Sequence, residues 1–268
     1  MAYSPLAATK LVSLVEELQS RGQYTFTRQG LAGVYGRSAL AFEAAVRRLK
    51  KQGRLASPRR GFFVIVPAEY REAGCLPPSW FVADLMAHLG QPYYVGLLTA
   101  AAIHGAAHQQ PMVFQVVTDR PTREARAGRV RIQFHMSRHV AGTSVVEIPT
   151  ETGSMRASSP EATAFDLVRF PAAAGHLSNV ATVLRELAEK LDVQPLTETA
   201  ARYPVPDVQR LGYLLDLVGE EALAASLSEA LEDRRLRPIR LDPAEEVADQ
   251  KPDDRWRIIP NTAVEADL

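Results

Sequence analysis

The spacing of apolar residues in the first 66 positions constrains the fold most strongly. Thr27 and Ser38 stand where a hydroxyl would cap a second and a third helix, and the β-prone run 24–26 precedes the second. The first helix, over 6–18, is predicted from the helical recurrence of Leu11, Leu14, Val15 and Leu18. The third helix is predicted from that of Ala39, Phe42, Val46 and Leu49. The face of the third helix opposite this apolar stripe would be free for a partner.

A hairpin follows the three predicted helices. The runs 54–57 and 61–66 are β-prone, and Pro58–Gly61 supplies the turn between them. Three helices followed by a hairpin that is tipped by Arg59 and Arg60 are typical of a winged helix-turn-helix. Residues 1–66 are therefore predicted to form a DNA-binding domain. Its third helix would enter the major groove, and its hairpin would contact flanking phosphate or the minor groove.

Charge is divided along the chain. The whole sequence has 31 basic and 31 acidic residues, but residues 1–74 hold 12 Lys and Arg against 5 Asp and Glu, a net charge of 12 − 5 = +7. A small basic region on an acidic body is expected when only the basic region contacts a polyanion. We therefore expect double-stranded DNA to be contacted by Thr27, Arg28, Arg37, Ser38, Ala41, Arg47, Arg48, Lys51, Arg59 and Arg60. The alternatives are a solvated basic face or a winged helix that binds protein.

The remainder of the chain is predicted to be a larger mixed domain. Three prolines in 67–79 indicate a linker, and 80–268 would form an α/β (α+β) domain with a small sheet and several late helices. The run Asp253–Ile259 is expected to return to that sheet, with Trp256 as a packing anchor. The predicted helices are 80–89, 94–104, 160–169, 177–191, 205–218 and 220–234, and the predicted strands are 113–117, 130–134, 145–148 and 154–157.

Five arginines between two predicted strands oppose the acidic trend of this domain: Arg120, Arg123, Arg126, Arg129 and Arg131. They form a possible second basic patch. One interpretation is that they contact phosphate, and the other is that they pair with acidic side chains of the late helices.

Candidates for catalysis or metal binding are weak. His104 and His108 are four residues apart, but Gly105 stands where a metalloprotease helix carries glutamate, and His135 and His139 repeat the spacing at a strand end. The single cysteine, Cys75, excludes a thiolate cluster, and the sequence has no phosphate-binding loop or nucleophile elbow. We therefore expect no catalytic residues, no metal, no cofactor and no enzyme activity. The lack of a long apolar run or signal sequence predicts a cytoplasmic protein without a membrane partner.

Several longer motifs follow one another along the chain, and they include Tyr24–Thr27, Ser57–Phe62, Tyr93–Ala100, Val113–Val117, Gly128–Ile132, Ser159–Ala164, Gln209–Leu215 and Trp256–Asn261. Together these motifs resemble the AbiEi antitoxins of type IV toxin–antitoxin (abortive infection) systems, including their actinobacterial branch. The resemblance implies a winged helix that binds inverted repeats in the operon promoter as a repressor, and a C-terminal domain that counters a nucleotidyltransferase-like toxin, directly or indirectly.

Two alternatives concern the larger domain. It could act enzymatically on the toxin or on nucleic acid through Asp166, His104 or the five arginines. It could also sense a small molecule, which would require an apolar pocket with a few converging polar groups.

Overall fold

The computed structural model describes residues 10–35, 38–106, 111–246 and 250–265, which form ten α-helices and eleven strands. A mainly helical N-terminal region precedes a larger region in which helices and strands are mixed. The predicted α/β class is therefore confirmed. No helix in these four ranges is long and apolar enough to cross a membrane.

The helices are α1 Leu11–Ser20, α2 Arg28–Tyr35, α3 Ala39–Lys51, α4 Val82–Leu89, α5 Leu97–Ile103, α6 Pro160–Arg169, α7 His176–Ala188, α8 Val193–Ala200, α9 Val205–Leu217 and α10 Glu221–Glu229. The strands are β1 Thr25–Thr27, β2 Leu55–Arg59, β3 Phe62–Ile65, β4 Tyr93–Val95, β5 Phe114–Thr118, β6 Ala125–Ala127, β7 Val130–Met136, β8 Val145–Thr150, β9 Gly153–Ser158, β10 Ile239–Arg240 and β11 Ile258–Ile259.

Helices α1, α2 and α3 share one apolar core with a three-stranded sheet of order β1-β3-β2. Both strand pairings are antiparallel, and β3 is the central strand. The hydroxyl of Thr27 accepts a hydrogen bond of 3.0 Å from the backbone N–H of Gly30, which starts α2 at the predicted residue. The core is built from Leu11, Leu14, Val15, Phe42, Val46, Leu49, Phe63 and Ile65, among others.

The prediction for this region was wrong in two details. Ala39 is exposed, and Ala45 takes its place in the buried stripe of α3. Ala39 lies in the first turn of the helix, whereas the buried residues begin at Phe42. Strand β2 also continues through Pro58 to Arg59, so that the hairpin turn consists only of Arg60 and Gly61.

A six-stranded sheet has the order β6-β7-β5-β4-β9-β8. Strand β5 runs parallel to β7, β4 runs parallel to β9, and β6 runs antiparallel to β7. The four predicted strands of the larger region are present. Strands β7 and β8 begin at the predicted residue and end two residues later than predicted, and both ends of β5 and β9 differ from the prediction by one residue.

Four elements of the larger region differ from the prediction. The predicted helix 94–104 begins as strand β4, because the aromatic and β-branched run Tyr93–Val95 is β-prone and buried. Strand β6, the two-residue strand β10 and helix α8 were not predicted. Strand β6 has only three residues, and α8 has Pro195 in its first turn, where proline is tolerated but looks like a helix break in sequence.

Trp256 is a packing anchor, as predicted. Its side chain is 2% exposed, and its indole N–H donates a hydrogen bond of 2.6 Å to the Asp216 carboxylate of α9. The following strand β11 pairs in parallel with β10 in a separate two-stranded sheet, so the expected return to the large sheet was wrong.

The chain divides into two compact units. The first unit contains residues 1–93, 112–138 and 147–156, and the second contains 94–111, 139–146 and 157–268. The predicted division into 1–66, a linker at 67–79 and 80–268 stays a prediction. Within the first unit, the segment 67–79 carries the buried side chains of Cys75 and Leu76.

Candidate nucleic-acid interface

Helix α3 starts at the predicted cap. The hydroxyl of Ser38 accepts a hydrogen bond of 3.3 Å from the backbone N–H of Ala41. Burial of Phe42, Val46 and Leu49 fixes the rotation of the helix about its axis. The face that remains outside carries Leu40, Ala44, Arg47 and Lys51, which are spaced four, three and four residues apart.

Cations occupy the last two turns of α3. Arg47, Arg48 and Lys51 are all exposed, as is Lys50, which was not among the predicted DNA contacts. Among the described residues, no carboxylate forms an ion pair with any of these four side chains. Their charges also match the negative end of the helix dipole. The C-terminal half of α3 therefore offers positive charge to solvent that no carboxylate of the described residues pairs with.

The predicted DNA contacts between residues 27 and 41 have different surroundings from the cations at the end of α3. Thr27 uses its hydroxyl to cap α2, and exposed Arg28 forms an ion pair with Glu43, which joins α2 to α3. Ser38 is exposed and Ala41 is half-buried. Arg37 lies outside the described residues.

Arg59 and Arg60 do not form the predicted pair at the hairpin tip. Only Arg60, in the turn, is exposed. Arg59 is half-buried, donates a hydrogen bond of 2.9 Å to the backbone carbonyl of Glu124, and places its guanidinium carbon 5.4 Å from the ring centre of Phe134. The sequence placed both arginines in the turn, whereas strand β2 includes Arg59 and leaves Arg60 in the turn.

The surroundings of Arg59 are unfavourable for an additional contact with DNA phosphate. Burial lowers the pKa of this guanidinium, and the positive charge of Arg123 lowers it further. Its Nη2 atom is buried and has no hydrogen-bond partner among the described residues. Arg59 therefore joins the hairpin to Glu124, the residue before β6, and to Phe134 of β7, and it is not available as a free contact for phosphate.

The five arginines at 120–131, hereafter the arginine cluster, are mostly paired with nearby acids. Glu124 binds Arg126 at 2.8 Å and Arg131 at 2.8 Å, while Arg120 pairs with Asp119 at 3.2 Å and Arg129 with Glu72 at 3.0 Å. Hydrogen bonds from Arg126 and then Arg131 lower the pKa of Glu124 to about 2. The expected pairing with the acidic late helices was therefore wrong, since these partners precede those helices in the chain.

The compact units separate charge more sharply than the sequence division did. Because the arginine cluster lies in the first unit, that unit has 19 basic and 10 acidic residues, and 19 − 10 = +9. The second unit has 12 basic and 21 acidic residues, and 12 − 21 = −9. Positive potential is thus concentrated on the unit that holds α3 and the hairpin.

The second unit contains a buried polar group around Asp166. Its carboxylate is fully buried and accepts a hydrogen bond of 3.2 Å from the Tyr94 hydroxyl. Burial raises the pKa of Asp166 to about 7. Asp207 lies 3.9 Å from Arg169 and 3.7 Å from Arg210. A carboxylate without solvent access cannot contact a substrate unless this unit opens, which weakens the enzymatic alternative.

The histidines are placed as ordinary structural residues. His104 lies at the end of α5, and its Nε2 atom is 2.7 Å from the backbone carbonyl of Ser158. His135 is half-buried and His139 is exposed, while His108 lies outside the described residues. Within the described part of the chain, no group of three or more His, Cys, Asp or Glu side chains is arranged to hold a metal ion.

Comparisons with known proteins bear on the fold and on the family. The crystal structure of the RV2827C protein from Mycobacterium tuberculosis superimposes with a TM-score of 0.67 over 96% of this chain and 94% of that one, at 18% sequence identity, which shows a shared fold. No curated protein sequence matches the chain. Residues 94–217 match the family model of the AbiEi antitoxin C-terminal domain. The resemblance to the AbiEi antitoxins that the sequence motifs indicate is therefore confirmed by the match over residues 94–217.

Proposed function

We propose that this chain is a DNA-binding transcriptional autorepressor and the antitoxin of a type IV toxin–antitoxin system, and that it acts without catalysis. The AbiEi domain at 94–217 supports the antitoxin role. The order α1-β1-α2-α3-β2-β3 supports a winged helix-turn-helix in residues 1–66, with α3 as the helix that enters the major groove. Its DNA target would be the inverted repeats in the promoter of its own operon.

The observation that carries the DNA-binding proposal is the exposed charge of Arg47, Arg48 and Lys51, which lie on one helix of a unit with net charge +9 and form no ion pair with the part of the chain that the structure describes. Cations that neutralise phosphates release condensed counterions, so that affinity falls linearly with salt on logarithmic axes. Arg60 adds one exposed cation at the hairpin turn.

We assign the arginine cluster a smaller role in DNA binding than the cations of α3. Four of its members are held by Asp119, Glu124 or Glu72, so direct phosphate contact would require breaking these pairs. Arg123 is exposed and lies close enough to Arg59 to lower its pKa. The cluster therefore adds to the long-range field that attracts DNA, and it contributes few direct contacts.

Salt titration tests the DNA-binding proposal. Binding of the full chain to the promoter region upstream of its own coding sequence is measured by gel shift over a series of KCl concentrations. The triple variant Arg47→Ala, Arg48→Ala, Lys51→Ala should bind more weakly. Its log–log slope should be shallower by about 0.9 for each phosphate that the variant no longer neutralises.

Lys190→Ala is the matched control, because Lys190 is an exposed cation of the acidic second unit. This variant should keep the affinity and the slope of the unmodified chain. Equal slopes for the triple variant and the unmodified chain would contradict the proposal.

Co-expression tests the antitoxin role separately. The full chain should restore growth of cells that express the adjacent nucleotidyltransferase-like toxin from an independent promoter. The triple α3 variant should restore growth equally well, because the AbiEi domain lies outside α3, and yet it should no longer repress a reporter that is driven by the operon promoter. Loss of rescue in the triple variant would show that antitoxicity depends on DNA binding.

A further inference from the structure

The outward face of α3 changes character along its length. Leu40 is 84% exposed in the first turn, and Ala44 is exposed one turn later on the same stripe. Arg47 and Lys51 continue this stripe toward the C-terminus. Isolated exposed leucines are common on proteins, but Leu40 lies in line with a row of cations on a capped helix.

The apolar half of this face cannot form hydrogen bonds with base edges. Ala39, Leu40, Ala41 and Ala44 have neither donors nor acceptors in their side chains. Glu43, the polar residue among them, is held by Arg28. In the major groove, the base feature that an apolar side chain can recognise is the 5-methyl group of thymine.

The cationic half is placed for a different task. In helix-turn-helix proteins the N-terminal residues of the recognition helix meet base edges. Arg47 and Lys51 lie about two and a half and three and a half turns beyond the Ser38 cap, so they are better placed for phosphates than for bases. The two halves of the face would thus divide sequence readout from general affinity.

We propose that Leu40 and Ala44 read thymine 5-methyl groups in the major groove, so that the preferred half-site carries thymine at the positions that face the first two turns of α3. This inference rests on the proposed DNA-binding function and adds the feature of the duplex that α3 recognises.

Replacement of thymine by deoxyuridine tests the inference, because it removes the methyl group and keeps every hydrogen-bonding group of the base. The promoter region upstream of the coding sequence is amplified with dTTP or with dUTP, and the full chain is titrated onto each product. The unmodified chain should bind the uracil duplex about tenfold more weakly, with the same salt slope on both.

Two variants separate methyl contact from charge. Leu40→Ala should bind the thymine duplex several-fold more weakly than the unmodified chain, and its preference for thymine over uracil should fall toward one. Arg47→Ala should bind both duplexes more weakly with a shallower salt slope, while it keeps the preference. Because Leu40 is almost fully exposed, Leu40→Ala should melt at the temperature of the unmodified chain.

The outcomes distinguish the two levels of the proposal. Salt-dependent binding with equal affinity for the thymine and uracil duplexes would overturn the methyl readout and leave the repressor function standing. A thymine preference that Leu40→Ala retains in full would also overturn it, because the preference would then come from duplex shape. Absence of salt-dependent binding to either duplex would overturn the proposed function itself.

Discussion

At the residue scale, Arg59 and Arg60 are neighbours in sequence with different environments. Arg60 is exposed in the hairpin turn, whereas Arg59 binds the Glu124 carbonyl and lies over Phe134. We expect Arg60→Ala to make the salt slope of DNA binding shallower by about 0.9 and to leave stability unchanged. Urea denaturation and salt titration of the same variant measure both effects.

Arg59→Ala should show the reverse pattern. Removal of its hydrogen bond and of its packing on the Phe134 ring should lower the free energy of unfolding by about 1 to 3 kcal/mol. The salt slope should change little, because Arg59 contacts protein and not phosphate. An Arg59→Ala protein of unchanged stability and reduced salt slope would place Arg59 on the DNA after all.

Asp166 is expected to make stability depend on pH. Its pKa is raised by burial from 3.8 to about 7, so the folded chain holds this proton more tightly than the unfolded chain. The resulting stabilisation is complete below the unfolded pKa and is lost as pH rises from about 4 through about 7. The ionisable groups near this carboxyl are those of Tyr94, Tyr203, Arg169 and Asp207. Burial has the largest effect on the pKa of Asp166, and it raises it.

The variant Asp166→Asn removes this titration and keeps a side chain of similar size. The free energy of unfolding of the variant minus that of the unmodified chain should be more than about 1 kcal/mol larger at pH 8 than at pH 5. Urea midpoints of both proteins at the two pH values measure the change. Parallel pH profiles for the two proteins would rule out Asp166 as the source.

Gly212 is required by the position of Trp256. A Cβ atom at residue 212 would overlap the six-membered ring of the buried indole, which has little room to shift. We expect Gly212→Ala to lower the free energy of unfolding by about 1 to 3 kcal/mol. Gly142→Ala is the control, because its Cβ atom would have no neighbour within 4 Å. Similar melting temperatures for the two variants would contradict this packing.

At the scale of elements, the Ser38 cap links the stability of α3 to its proposed contact with DNA. Ser38→Ala removes the hydrogen bond to the Ala41 N–H and should cost about 1 kcal/mol in thermal or urea unfolding. Ser38→Asp should preserve the cap, because aspartate is also a good N-cap residue. Its added negative charge should nevertheless weaken binding to promoter DNA. Unchanged binding by Ser38→Asp would place this end of α3 away from the duplex.

Elements with strong local signals were predictable from sequence. Helix α6 has its predicted bounds, Pro160–Arg169, because Ser159 supplies the cap and Pro160 fits the first helical position. The exposed cations of α3 were also predictable, since the buried stripe dictates which side chains remain outside.

Elements that depend on distant partners were not predictable in the same way. Strand β4 has three residues and is stabilised by pairing with β9, which comes much later in the chain. The role of Arg59 depends on Glu124 and Phe134, which no local pattern connects to the hairpin. The arginine cluster likewise pairs with Glu72 and Glu124, and only the folded chain brings these partners together.

At the scale of the whole molecule, the two compact units differ in net charge, in the sense that the two proposed tasks require. The first unit carries +9 and the second carries −9, so a neutral protein presents one region that attracts a polyanion and one that repels it. The AbiEi match at 94–217 covers helices α5 to α9 of the acidic unit, together with residues 112–138 and 147–156 of the first unit. We therefore propose that the first unit contacts DNA through α3 and the hairpin, and that the second unit carries the proposed antitoxin activity.

Hydrogen–deuterium exchange of the full chain, with and without the promoter duplex, tests this assignment most directly because it reports on both units at once. Bound DNA should slow exchange in peptides that cover residues 38–51 and the hairpin turn at Arg60 and Gly61. Peptides from α6 to α10 should exchange at unchanged rates. Protection concentrated in α6 to α10, with none in α3, would contradict the assignment.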